Sequence, residues 1–332
     1  MKTTKLLASI VAIIVVLALS SASNAGSLEP SAGPGSTMKT LDEVEPRIPI
    51  PGSDTPAAFT ISESGSYYLT GNRACSGFGI QVLVDDVTID LMGYNLIGPG
   101  SGTGYGILMN GLSNVEIRNG TVRDFYYGIY ENSTTSQGHR VINVRAVSNS
   151  RYGIYLRSNN NMVKNCTVMD NGTSAIGTVY CIYANSGSTI TGNTAYDNGV
   201  SATSNVYVIY DQGGSTVTGN TVHDNGTSAT GTVFGMYTGS GSTVTGNTVR
   251  DNGSTAGSVV YGIYANSGST VTGNTAYDNG DYATGTVYGI YPVGSNLVDQ
   301  NTAYSNGTGA GSATQIHYTG SGCVFGINVP AP

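Results

Sequence analysis

The sequence nearly repeats itself. GSTVTGNTVRDNG, ending at Gly253, recurs as GSTITGNTAYDNG ending at Gly199, GSTVTGNTVHDNG ending at Gly226 and GSTVTGNTAYDNG ending at Gly280. Aligned on the Asn of the Gly-Asn-Thr turn, the series is Asn165, Asn193, Asn220, Asn247, Asn274 and Asn301, with steps of 28 and then 27. A second series in the Tyr-Gly-Ile-Tyr segment runs Ile154, Ile182, Ile209, Met236, Ile263 and Ile290, and continues backward to Ile129 and Ile107 with steps of 25 and 22. A fixed period of this size means a solenoid, a propeller or an array.

Composition selects among these. The chain has 48 Gly and no Trp, and the repeats are rich in Val, Ile, Thr and Tyr rather than in the helix formers a helical solenoid requires. A propeller blade of four strands needs about 40 residues. A unit of 22 to 28 residues instead suits one coil of a parallel β-helix with three short strands, stacked at about 4.8 Å. In Thr-Val-Thr the Val points inward while both Thr point out. An Asn at the same turn of every coil bonds its copies above and below through the amide. The column Asn171, Asn198, Asn225, Asn252, Asn279 and Asn306 is expected to do the same at the next corner.

Lys2 and Lys5 precede an apolar run, Leu6 to Leu19, and the small residues 20–25. This is the pattern of a cleavable signal peptide over 1–25, so the mature chain is expected to be secreted or periplasmic, without a membrane span. Residues 26–56, with six Pro, read as a linker becoming an N-terminal cap that protects the first coil's edge. Without Lys2 and Lys5, 13 basic residues become 11 against 20 acidic ones, a net charge of −9. That balance argues against nucleic-acid binding. Charge is uneven, however: Arg118, Arg123, Arg140, Arg145, Arg151, Arg157 and Lys164 face only Asp124 and Glu131, a pattern that fits a solvated face or a patch for an anionic glycan. Cys75, Cys166, Cys181 and Cys323 have no zinc spacing; Cys166 and Cys181 stand where other repeats carry Thr and Gly or Val, and buried or free thiols are expected.

The Gly-Ile-Tyr strand, the Thr-Val-Thr-Gly-Asn-Thr turn and the Asp-Asn-Gly corner resemble repeats of the pectin lyase-like superfamily. FTISESGSYYLTGN, from Phe59 to Asn72, and VTIDLMGYNLI, from Val87 to Ile97, resemble the cap and first coils of such proteins. The resemblance covers about residues 57–328 and implies an all-β, right-handed, single-stranded parallel β-helix of about ten coils. It implies no single activity, because the superfamily holds lyases, hydrolases, epimerases and non-catalytic surface proteins. Its lyases use an Arg or Lys base beside acids that hold Ca²⁺, which would point to Arg118, Arg123, Arg140 or Arg145. Its hydrolases use neighbouring Asp. Neither the Asn-Thr-Asp and Gly-His-Gly motifs nor Arg-X-Pro-X-X-Arg occurs here, and Asp85, Asp86 and Asp90 read as turn and strand residues. His139 is the one His beside a basic residue, Arg140.

Three columns remain as candidate surfaces. Tyr155, Tyr183, Tyr210, Tyr237, Tyr264 and Tyr291, with Tyr130 and Tyr318, follow the inward Ile and form either a packing ladder or a platform for sugar rings. Tyr105, Tyr127, Tyr152, Tyr180, Tyr207, Phe234, Tyr261 and Tyr288 precede it by two; alternation puts them inside unless the intervening Gly makes a bulge. Asp197, Asp224 and Asp251, within the series Asp170 to Asp278, cap turns or bind Ca²⁺. Thr189/Thr191, Thr216/Thr218, Thr243/Thr245 and Thr270/Thr272 form a short Thr array of the kind found on ice-binding solenoids. The functional expectation is a monomer binding polysaccharide or a cell-surface glycan along its outer face. The alternatives are an active polysaccharide lyase or glycoside hydrolase with chemistry between Arg118 and Arg157, a structural or adhesive rod, and ice binding.

Overall fold

A computed structural model describes residues 47–54, 57–100, 102–317 and 322–330; the signal segment, most of the Pro-rich segment and Tyr318 lie outside them. The first described strand, Ile48–Ile50, lies within the Pro-rich segment and pairs in parallel with Gly65–Leu69, Ile48 opposite Tyr67. From there to Val329–Pro330 the chain coils through three faces per turn, and every strand pairs in parallel with its copy one coil on. Among the described residues no helix is long and apolar enough to cross a membrane.

The first face is an 11-stranded sheet from Phe59–Ile61 to Ser312–Ile316, built from the Tyr-Gly-Ile-Tyr segments. The second carries Thr-Val-Thr strands such as Thr216–Thr218, and the third carries strands such as Thr248–Arg250. In the early coils one long strand serves both, as in Glu116–Arg123 and Arg140–Val147, bending at Asn119 and Asn143 with φ of 57° and 54°. Later coils place Gly at that corner (Gly246, φ 64°) and the strand divides. Asn and Gly recur there because they accept left-handed backbone at low cost.

The core is three inward columns, one per face: Ile107 to Ile290 through Met236; Val163, Ile190, Val217, Val244, Val271 and Val298; and Val168, Ala195, Val222, Val249, Ala276 and Ala303, all fully buried. Each Val or Ile contributes roughly 1.5–3 kcal/mol by burial. The columns also correct the sequence alignment by one residue. Lys164 pairs with Thr191 and Thr167 with Thr194, so Cys166, not Asn165, stands at the position of Asn193. Asn165 takes the left-handed corner that Gly192 fills one coil later (φ 52° and 65°). Cys166 therefore replaces an Asn rather than a Thr. Its thiol donates to the carbonyls of Val141 and Lys164, where the Asn193 amide donates to that of Val163.

Three buried hydrogen-bonded ladders tie the coils together. In the first, Asn193, Asn220, Asn247, Asn274 and Asn301 each send backbone N–H and amide Nδ2 to the Oδ1 of the next Asn, ending on Asn328. The second runs from Asn149 through Asn171 to Asn306 and closes on Gln315 Oε1. The third runs through the Ser of each Gly-Ser-Thr: successive backbone N–H groups donate to His139 Nδ1, Asn161 Oδ1, and the hydroxyls of Ser188, Ser215, Ser242 and Ser269.

His139 is therefore a rung and not a catalytic base. Because Nδ1 accepts from Val115, Nε2 carries the proton, and it is buried without a hydrogen-bond partner. Burial holds the imidazole pKa below its usual range, against the opposing pull of Glu131. Its folded pKa being depressed, His139 contributes stability that is full above about pH 6.5 and is lost as pH falls, because only the unfolded chain binds the proton. The expected slope is about 1.4 kcal/mol per pH unit below that point. His139→Asn, which copies the Asn161 rung, should keep the fold and flatten the slope between about pH 6.5 and 5. Urea unfolding across that interval checks this, and parallel slopes in both proteins would refute it.

Candidate functional site

The first face shows where alternation fails. In the Tyr-Gly-Ile-Tyr strands the Gly and the Ile are both buried while the two Tyr are half-buried, as in Tyr127–Glu131 and Val260–Ala265; in Tyr152–Leu156 the first Tyr is covered by its neighbours as well. The ladder pairs Tyr127 with Tyr152 and Ile129 with Ile154 but leaves the Gly between them unpaired. A Cβ at Gly262 would fall on the carbonyl oxygen of Gly289 in the next coil. The Gly thus acts as the local bulge that keeps both Tyr outside, and both aromatic columns share one surface.

Their rings are arranged in a way the sequence does not reveal. Within a column, rings stack face to face: Tyr183 on Tyr210 at 4.8 Å and 11°, Tyr210 on Tyr237 at 4.8 Å and 4°, Tyr237 on Tyr264 at 5.0 Å and 6°. Between columns they meet edge-on, Tyr180 against Tyr183 at 90° and Tyr207 against Tyr210 at 89°. Each ring face is thereby covered by the next coil's ring. A ligand meets ring edges and phenol hydroxyls, not a stacking platform. Tyr155 and Tyr291 continue the stack, at 4.5 Å from Tyr183 and 5.6 Å from Tyr264. Burial against neighbouring rings pushes the phenols upward, Tyr152 and Tyr261 to about 12.

Along one border of this strip the hydroxyls meet turn amides. Tyr183 and Tyr210 both donate to Gln212 Oε1, at 3.3 and 3.1 Å, and Asn266 Nδ2 donates to the Tyr237 hydroxyl at 2.9 Å. A cavity of about 270 Å³ opens at this border, lined by Thr134, Arg157, Tyr183, Asn185 and Gln212.

The basic residues divide into two groups. Arg118 bonds Asp90 at 3.0 Å and Glu116 at 3.1 Å, Arg140 bonds Glu116 at 2.8 Å, and Arg123 bonds Asp124 at 2.9 Å. Arg145, Arg151 and Arg157 have no carboxylate within 4 Å among the described residues and bond only neutral oxygens: Thr121 Oγ1, Tyr126 OH with the Thr178 carbonyl, and Asn132 Oδ1. Each of these three lines a cavity. Arg145 borders one of about 250 Å³ with Gly93, Asn119, Gly120 and Asn143, and Arg151 borders one of about 260 Å³ with Tyr126 and Ile176.

A change in coil length explains the cavity beside Arg151. The connection from third to first face is three residues (124–126), then four (148–151), then nine (170–178). The first long loop overhangs its shorter predecessors, leaving a cavity of about 530 Å³ lined by Ser148, Asn149, Ser150, Asp170, Thr173 and Ser174. Ile176 stands 88% exposed on the ledge. The sequence signal was present, as the jump from 25 to 28 between Ile129, Ile154 and Ile182.

The other columns take structural positions. Asp197, Asp224 and Asp251 adopt left-handed backbone with φ of 54–56°, which accounts for Asp at that corner. His223 and Arg250 engage Asp224 and Asp251 respectively. Among the described residues no three His, Cys, Asp or Glu are placed to hold a metal ion. The Thr pairs register coil to coil, and a third column, Thr167, Thr194, Thr221, Thr248, Thr275 and Thr302, flanks them beyond the Gly corner. Two buried carboxylates escaped the sequence reading. Glu131 accepts from the N–H groups of Ser133 and Ser158, and Asp211 from those of Gly213 and Gly239, so both hold turns.

Residues 105–262 match a family model described as the right handed beta helix region. In solved structures the chain is similar to the A-module of the Azotobacter vinelandii mannuronan C-5 epimerase AlgE4, at 14% identity and TM-score 0.55, over 84% of this chain and 91% of that one. It is also similar to the Dettilon tailspike protein (13%, TM-score 0.48, 85% and 59%) and the AlgE6 A-module from the same Azotobacter (15%, 0.38, 86% and 91%). No curated protein matches the chain. At these identities the likeness is one of fold.

Proposed function

We propose that this chain, a right-handed parallel β-helix, binds an acidic polysaccharide at the cavity of Thr134, Arg157, Tyr183, Asn185 and Gln212. The observation that carries this reading is Arg157, an exposed cation without a carboxylate partner among the described residues, at the edge of a strip of phenols and amides. Arg pairs bidentately with carboxylates. Asn185, Gln212 and the phenol hydroxyls offer donors and acceptors to sugar hydroxyls, while the ring edges of the Tyr155 to Tyr291 column supply apolar contact. The only acidic residues between Arg118 and Lys164 are Asp124 and Glu131, the second of them buried, so this section repels an anionic polymer least. The fold is shared with the A-module of a mannuronan C-5 epimerase, which makes a polyuronate the first ligand class to test. The signal-like segment 1–25 is consistent with meeting such a polymer outside the cytoplasm.

Binding is favoured over catalysis because three of the four bases a lyase reading would use, Arg118, Arg123 and Arg140, are held by carboxylates, while Arg145 bonds Thr121 Oγ1 and borders a cavity whose lining, among the described residues, holds no carboxylate for Ca²⁺. A glycan array probed with and without Ca²⁺ should give hits among uronate-containing polymers and none among neutral ones. Arg157→Ala should lose about 1.5–3 kcal/mol of binding, about ten- to a hundredfold, if it engages a carboxylate. Hits confined to neutral glycans, or unchanged by this substitution, would overturn the assignment.

A further inference from the structure

The aromatic double column has a property independent of any ligand. Its phenols are held one coil apart in near-parallel pairs: Tyr155 and Tyr183 at 4.5 Å, Tyr183 and Tyr210 at 4.8 Å, Tyr210 and Tyr237 at 4.8 Å, Tyr237 and Tyr264 at 5.0 Å. In the neighbouring column Tyr180 stacks on Tyr207 at 5.1 Å and Tyr261 on Tyr288 at 5.2 Å, with Phe234 interposed between Tyr207 and Tyr261. Strand pairing fixes these partners: Tyr183 opposes Tyr210, Tyr210 opposes Tyr237, and Tyr237 opposes Tyr264. Tyr155, Tyr210, Tyr237 and Tyr264 are half-buried, so their hydroxyl protons can leave to solvent, and the more covered Tyr183 shares with Tyr210 the oxygen of Gln212 as acceptor.

We infer that this column is a site of oxidative modification, in which a one-electron oxidant joins stacked tyrosines of adjacent coils as dityrosine. Each of two phenols gives up one electron and its hydroxyl proton, leaving phenoxyl radicals with unpaired density on the carbons ortho to oxygen. A carbon–carbon bond forms between two ortho carbons, and the hydrogen on each returns to its oxygen as the rings regain aromaticity. With hydrogen peroxide and a haem peroxidase as oxidant, the two electrons and two protons reduce one peroxide to two waters. Ring contact lets an oxidising equivalent move between neighbouring tyrosines, so two radicals formed at different coils meet within the column. Each bond would staple two coils covalently along the exposed face.

The full chain, treated with limiting peroxide and peroxidase and digested with an Asp-specific protease, is read by mass spectrometry. The expected products are intrachain peptides joining Tyr183 to Tyr210, Tyr210 to Tyr237 and Tyr237 to Tyr264, while the chain remains monomeric on a denaturing gel. The double substitution Tyr210→Phe with Tyr237→Phe keeps the ring packing and should abolish all three, leaving the Tyr155–Tyr183 and Tyr264–Tyr291 products. Circular dichroism confirms that this variant folds. Tyr282, 71% exposed and outside both columns, is the internal control for simple accessibility. Products dominated by chain-to-chain links through Tyr282, or a yield untouched by the double substitution, would overturn the proposal.

Discussion

Asn225→Ala is expected to be among the most destabilising single substitutions in this protein. Asn225 is fully buried. It donates Nδ2 to the carbonyls of Ala195 and His223 and to Asn252 Oδ1, sends its backbone N–H to the same Oδ1, and accepts at Oδ1 from both the N–H and the Nδ2 of Asn198. Alanine keeps only the backbone donation and leaves several of these groups buried and unmatched. At about 1–3 kcal/mol for each group left unsatisfied, the expected loss is about 3–5 kcal/mol. Domain stabilities are typically about 5–15 kcal/mol, so this is a large fraction. Removing a second rung should cost less than the first, because adjacent rungs share the bonds already broken. Urea unfolding of the single and double variants measures both quantities; a loss under about 1 kcal/mol would contradict the ladder's role.

The second large effect is alkaline. Ten phenols in the two columns, at Tyr127, Tyr130, Tyr152, Tyr155, Tyr180, Tyr183, Tyr207, Tyr210, Tyr261 and Tyr264, are raised above the usual tyrosine value, burial being the main cause throughout. A raised folded pKa gives stability that is present below about pH 10 and lost as pH rises toward the folded value. These rings are partly open to solvent, which screens much of the cost of ionising them. Even two protons held by the folded chain and released on unfolding give a slope of about 2.7 kcal/mol per pH unit. The β-helix should therefore unfold cooperatively between about pH 10 and 12, with phenolate absorbance and loss of β-sheet dichroism rising together. A gradual titration near pH 10 with unchanged dichroism would show the columns to be unimportant to the fold.

Much of this architecture was legible because a solenoid writes each structural decision several times. The period gave the coil, Thr-Val-Thr gave the inward Val, and Asn at fixed corners gave two ladders. Single-copy features were not legible. Asn165 looked like the first rung because Asn suits both a ladder and a left-handed corner, and only the strand register showed Cys166 beneath Asn193. His139 looked like candidate chemistry because its ladder mixes His, Asn and Ser, three residues that share only an acceptor. The ring planes of the Tyr columns had no sequence signal at all, since spacing fixes where a side chain leaves the backbone and not how its ring turns. For Arg118 and Arg140 the division depended on which carboxylates lie one coil away, at separations of 28 and 24 residues.

The most direct test of the binding assignment is isothermal titration of the full chain with defined oligouronates, beside neutral oligosaccharides of equal length. The expected result is saturable binding of the uronates that weakens with added salt, falls about ten- to a hundredfold in Arg157→Ala, and is unchanged in Arg118→Ala, whose guanidinium is already paired. Binding that ignores charge and salt, or that survives loss of Arg157 but fails without Arg118, would contradict the assignment.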